Sequence, residues 1–330
     1  MIFRLTVVFV SFFLFIVTAL TVPGYASAQV VDLSSDSSSA LGSYNLILLE
    51  DYNFQGGDVN GKALIGGDVN AYGRAVEFGS RLPNTNTAID AVTIVGDVNA
   101  NVVRVLRDNN LVYGGALNAS VVELNDGDDG QAIYDASLSI DSIAASLHAD
   151  SAYFASLSEN GVYSNGTFNY SGTDDVAVFN VSASDIFAQN SNLQLNWGSA
   201  ETVIINVSAN DAIAGNDIVV GGGVNLNNGF NGSYAFSNVL WNFYDAESID
   251  FGSLPMKGAV LAPLASTKSY ATFDGTFVAK SYTGASEFHD YVFNYERPQG
   301  NAVVDVSEPS AVILMLMGLL LIRARKKSCI

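Results

Sequence analysis

Cysteine and histidine are nearly missing from this chain. One Cys and two His occur among 330 residues. A disulfide framework needs paired cysteines, and a thiolate cluster or a three-histidine zinc centre needs more ligands than these, so all three are excluded. Cations are scarce too: 14 Lys and Arg stand against 33 Asp and Glu, a formal net charge of −19. Phosphate backbones are held by clustered Lys and Arg, so no nucleic-acid partner is expected. Proline is rare at 6, and charged residues of both signs make up only 14%. Apolar residues are plentiful at 49%, with 11% aromatics and 30 Gly. Such a chain closes a core and is not disordered throughout.

The two ends read as addresses. Arg4 precedes an almost unbroken apolar run over 7–20, and Ala26-Ser27-Ala28 has the small-x-small pattern of a signal-peptidase site. Residues 1–28 are therefore expected to be a signal peptide cut between Ala28 and Gln29, with an uncleaved anchor as the alternative. The Ser- and Asp-rich stretch 29–40 reads as a flexible leader. At the other end, residues 311–322 (AVILMLMGLLLI) are apolar, and Arg323, Arg325, Lys326 and Lys327 follow. A helix of that length covers roughly 18 Å, short of a hydrocarbon core of ~30 Å. The cations place the tail on the cytoplasmic side.

Glu308-Pro309, the short apolar run and the basic tail together resemble the PEP-CTERM sorting signal of Gram-negative bacteria, with Ser307 where that signal usually has its first Pro. The resemblance implies transient inner-membrane insertion over 301–330. It also implies processing near Glu308 and Pro309 by an exosortase-like enzyme, and delivery to the cell surface or extracellular matrix. A plain anchor, which would leave the body facing the periplasm, is the alternative.

Between the ends a short motif returns. Gly56-Gly57-Asp58-Val59-Asn60 is followed by Gly66-Gly67-Asp68-Val69-Asn70, then by Val95-Gly96-Asp97-Val98-Asn99 and Gly114-Gly115-Ala116-Leu117-Asn118. Gly221-Gly222-Gly223-Val224-Asn225 repeats the theme. Short β-branched segments lie between the copies. This punctuation predicts a mostly-β chain wound as a β-solenoid, with Gly and Asn turning the corners and Asn side chains stacking along the ladder. A β-sandwich is the alternative.

Residues 131–157 break the pattern. They lack Gly and Pro, and Ile140, Ile143, Leu147, Phe154 and Leu157 form a helical stripe that is expected to pack alongside the solenoid. Later come a Leu-Ala-Pro strand (Leu261-Ala262-Pro263), a Gly-x-Phe-Val-Ala strand (Gly275 to Ala279) and a closing Glu287-Phe288-His289. The order of these features over 41–294 resembles the choice-of-anchor A family. The resemblance implies an ice-binding-like adhesive β-solenoid over 41–300 with a helix alongside, joined to one of several C-terminal anchors.

Candidate chemistry is sparse. Glu287 and His289, two apart on a strand, face one side and could share a proton, but no Gly-x-Ser-x-Gly nucleophile accompanies them. Asn125-Asp126-Gly127-Asp128-Asp129-Gly130 is the densest acidic turn. Asp126, Asp128 and Asp129 are oxygen ligands of the kind Ca²⁺ takes, although the twelve-residue EF-hand pattern fails at Ala136. His148 reads as a surface residue. A polysaccharide lyase or hydrolase would need clustered carboxylates with a base, whereas Lys62, Arg74, Arg81, Arg104 and Arg107 are scattered. Ice binding needs a repeated Thr array that the chain lacks. The expectation is an exported, non-catalytic adhesive or structural protein without a cofactor, meeting polysaccharide or matrix. The enzyme is the alternative.

Overall fold

The computed structural model describes residues 40–84, 87–209 and 216–295. The expected signal peptide, most of the leader and the sorting segment, with Ala28, Gln29, Glu308 and Pro309, lie outside them. The described residues up to Asn294 belong to one compact unit.

Short strands stack in parallel. One ladder runs through 177–180, 203–206, 239–242, 259–262, 277–279, 46–48, 63–65, 92–94, 111–113 and 132–134, each paired with the next. A second face carries 217–219, 248–250, 266–269, 281–284, 52–54, 69–71 and 98–100. A third brings Met256, Phe273, Phe288, Val59, Phe78, Val105 and Leu124 onto one inward row. This is the expected β-solenoid. Its parallel pairing removes the β-sandwich alternative, whose sheets are antiparallel.

Chain order and spatial order differ. The first coil lies against the last, because 46–48 pairs with both 277–279 and 63–65. From that seam the chain winds outward to the strand Ala132–Tyr134, crosses to Val176–Ser182 at the far end, and winds back. Asn45, fully buried, clips the seam. Its Nδ2 donates to the carbonyls of His289 (2.8 Å) and Gly275 (3.4 Å), and its Oδ1 accepts from the Gly61 N–H at 3.1 Å.

Inward side chains alternate along each strand, as the two-residue period requires: Leu46 and Leu48, Ala63 and Ile65, Val92 and Ile94. The outward Ile47, Leu64, Leu240, Leu261 and Val278 are also buried, which explains runs such as Leu46-Ile47-Leu48 with no polar alternation. The core is aliphatic toward one end and aromatic toward the seam, where Phe273 stacks on Phe288 with centroids 5.2 Å apart.

The crossing is made by a helix, Asp141–Ser156, that packs on the strands Thr202–Ser208, Val239–Asn242 and Ala259–Ser269. Ile143, Leu147 and Phe154 of the expected stripe are buried in it, and Ile140 sits just ahead of it. The helix starts ten residues later than the Gly- and Pro-free stretch beginning at 131, since Ala132–Tyr134 is drawn into the ladder beside Leu111–Tyr113. Ser139 Oγ accepts the Asp141 N–H at 3.1 Å just ahead of the first turn, whose N-cap is Ile140. Among the described residues no helix is long and apolar enough to cross a membrane.

The helix follows the axis of the stack because two periods agree. Asn242 Nδ2 donates to the Ser151 carbonyl at 2.9 Å, and Asn206 Nδ2 donates to the Phe154 carbonyl at 2.8 Å. Three helical residues rise ~4.5 Å, and neighbouring strands are ~4.8 Å apart. Each coil therefore presents its Asn to a carbonyl one helical turn further on.

Candidate functional site

The repeated motif builds a corner and a polar face. Asp51 Oδ1 accepts the N–H of Asp68 at 2.9 Å, Asp68 Oδ1 that of Asp97 at 2.7 Å, and Asp97 Oδ1 that of Ala116 at 2.7 Å. Ala116 carries no carboxylate, and the row stops there. The glycine before each of these residues makes room: a Cβ on Gly67, Gly96 or Gly115 would lie 2.3 Å from the Asp oxygen of the preceding coil. These glycines have ordinary φ, so close approach selects them at the corner, and not the left-handed backbone expected there.

Two residues after each Asp, an Asn points outward. Asn70 donates to Asn53 at 3.2 Å, Asn99 to Asn70 at 3.1 Å and Asn118 to Asn99 at 2.9 Å, forming the expected ladder of stacked carboxamides. Each donor amide keeps a second hydrogen that the ladder does not use. Tyr72, 73% exposed, rises beside the row, and with Asn53, Phe54, Gln55 and Asn70 it lines a cavity of about 340 Å³. Beyond Asn53 the outward row continues as Thr283, Lys268 and Asp250, the last two forming an ion pair at 3.5 Å.

The Gly56-Gly57-Asp58-Val59-Asn60 copy is out of register with the others. Asp58 stands opposite Glu287 on the third face, and the in-register partner of Asp68 is Asp51. A Cβ on Gly57, whose φ is +93°, would meet the Ser286 carbonyl at 1.9 Å, so this copy serves the seam with the last coil.

Glu287 and His289 do meet, at 3.3 Å through Nε2, but the other nitrogen is engaged as well. Nδ1 lies 2.5 Å from Asp274 Oδ1, and Lys257 pairs with the second Asp274 oxygen. Lys257, Asp274 and His289 share one row of the third face, one per coil. Burial pulls the imidazole pKa down, but the hydrogen bond and charge of Asp274, and then those of Glu287, outweigh it and hold the group above its ordinary value. In its protonated form the ring donates from both nitrogens and has no lone pair with which to act as a general base. Next to it, a cavity of about 570 Å³ is lined by Asn60, Arg81, His289, Asp290 and Tyr291. Burial raises the Asp290 carboxyl.

The acidic turn is organised by a residue outside it. Asp108, buried, accepts the N–H groups of Asp129 (2.9 Å) and Gly130 (2.8 Å) through Oδ1, and Asp126 Oδ2 accepts the Arg107 N–H at 3.1 Å. Asp126, Asp128 and Asp129 are exposed. Among the described residues no group of three or more His, Cys, Asp or Glu side chains is placed to hold a metal ion. The turn leads into the strand Ala132–Tyr134, not directly into the helix. His148 is exposed on the helix.

Residues 37–290 match the family described as "Putative Ice-binding-like adhesive domain". The chain belongs to this family. Neither a curated protein nor a solved structure matches it.

Within the adhesive domain, sequence reading missed two sets of residues. Asn53 hides in Glu50-Asp51-Tyr52-Asn53, which lacks the glycine pair of its in-register relatives. Asn180, Asn206 and Asn242 form a second carboxamide ladder, at 3.0 and 2.9 Å, under the end of the helix. Their signal was present: Phe179, Ile205 and Trp241 each end an apolar strand run, and an Asn follows each.

Proposed function

We propose that this is an exported, non-catalytic adhesive protein of a Gram-negative bacterium that holds extracellular polysaccharide or matrix. The observation that carries the reading is membership of the adhesive family across 37–290. The exposed carboxamide ladder from Asn53 to Asn118 supports it, since evenly spaced donors and acceptors on a rigid face suit a repeating polar partner. Signal peptidase cuts between Ala28 and Gln29. The Glu308-Pro309 segment hands the chain to an exosortase-like enzyme, and the mature protein resides at the surface or in the matrix.

Two measurements test this. Mass spectrometry of the native protein from fractionated cells reads both termini; a start at Gln29 and an end near Glu308, recovered from the surface, is the expected result. An intact tail in the inner membrane would overturn the sorting. Purified protein should co-sediment with the producer's own insoluble matrix, and its staying in the supernatant would overturn adhesion.

A further inference from the structure

The covering helix ends at Ser156, one coil short of the end of the ladder beneath it. Asn242 and Asn206 each spend one amide hydrogen on the next Asn and the other on a helix carbonyl. Asn180 receives the last bond of this series, from Asn206 at 3.0 Å, and has no helical carbonyl to answer. Its own amide hydrogens meet no acceptor among the described residues. The ladder is thus polarised and delivers its donor end to the place where the cover runs out.

That place is a groove of about 510 Å³, within the usual range for ligand sites of ~300–1,000 Å³. Asn180 and the buried Asn206 lie along it, with half-buried Tyr163 and Tyr244 and the carboxylates of Glu159 and Asp185. The groove continues past Tyr244 into an adjoining cavity of about 470 Å³ on the flank of the helix, closed on its other side by Pro263 and Leu264. No Lys or Arg lines either part.

We propose that this groove binds a single uncharged glycan chain. The site takes a polymer because it is elongated and open, with one aromatic ring common to both halves. Tyr rings offer faces to the C–H side of a sugar. Glu159 and Asp185 accept from sugar hydroxyls, and Asn180 donates to a ring or hydroxyl oxygen. An anionic polysaccharide would meet two carboxylates and neither Lys nor Arg, with His148 alone on the helix flank, and is rejected by like charge. This assignment rests on the adhesive reading above and places its ligand at one site, distinct from the exposed Asn53 to Asn118 row.

Calorimetry on the full chain with cellohexaose and hexa-N-acetylchitohexaose as probes, and polygalacturonate as the anionic comparison, tests it. At least one uncharged hexamer is expected to bind, and polygalacturonate is not. Tyr244→Ala should weaken binding about tenfold, Asn180→Leu should weaken it too, and Tyr244→Trp should restore it. Asn180 is exposed, so its variant reports on the groove even if Tyr244→Ala unfolds. Unchanged affinity in folded Tyr244→Ala and Asn180→Leu would overturn the groove and leave adhesion by another face standing. Preference for polygalacturonate, or no binding of either hexamer, would also overturn it, while matrix co-sedimentation decides the adhesive reading separately.

Discussion

Asp51 Oδ1 occupies the space that a side chain on Gly67 would need: a Cβ there would come within 2.3 Å of it. The same oxygen receives the Asp68 N–H. Glycine and aspartate in adjacent coils are therefore one device, the first opening the space that the second fills. Gly67→Ala is expected to destabilise the fold by about 1–3 kcal/mol, as overpacking of a close-packed site does. Asp51→Ala in the same chain removes the nearest of the contacts but leaves the Glu50 carbonyl carbon at 2.8 Å and the Asp51 nitrogen at 2.9 Å. It should therefore relieve part of the clash while losing the hydrogen bond, and the two costs should fall short of their sum. Denaturant unfolding of the two single variants and the double variant measures this, and strict additivity would show the residues to be independent.

The helix is held by carboxamides whose hydrogen bonds are all inside. Asn206→Leu removes the donor to the Phe154 carbonyl, the acceptor for Asn242 and the donor to Asn180 together. Losing these three bonds and leaving the buried Asn242 amide short of an acceptor should cost about 2–3 kcal/mol. Amide exchange should also quicken in Asp141–Ser156 more than in the distant strand Asp90–Ile94. Equal loss of protection in both would mean the ladder does not fasten the helix.

The charge row at the seam makes stability depend on pH. The folded pKa of His289 lies above its ordinary 6.5, so folding favours the imidazolium. Its contribution is complete below 6.5 and is lost as pH rises through the folded value. Asp290, raised by burial, acts in the same sense at lower pH, its cost setting in as pH climbs past 3.8. Thermal midpoints should therefore fall as pH rises above about 6.5. His289→Gln should flatten that fall. An identical slope in both proteins would assign it to other groups.

Much of the architecture could be read from short motifs. The in-register copies at Asp68, Asp97 and Ala116 announce stacked coils, because a device that joins each coil to the next must recur once per coil. The helix was readable from the spacing of Ile143, Leu147 and Phe154. Its start was not, since Ile133 and Tyr134 suit a helix face as well as a ladder, and only the waiting edge of Leu111–Tyr113 decides. The order of coils was hidden as well. No local pattern says that residue 46 will pair with residue 277, a match fastened by Asn45 reaching Gly275 and His289, 230 and 244 residues away. At the charge row, Glu287 and His289 were visible as neighbours on one strand, whereas Asp274 and Lys257 came from separate coils.

The meeting of the first and last coils has a mechanical consequence. The two end strands of the ladder, 132–134 and 176–182, are mid-chain segments, the second capped by Asn160 and Gly161, while the chain leaves the coil ending at residue 288 from the interior. A pull applied beyond Asn294 loads a strand bonded on both flanks, to 46–48 on one side and 260–262 on the other. Such a strand must be sheared out with two rows of hydrogen bonds resisting at once, and cannot be peeled away one bond at a time from a free edge.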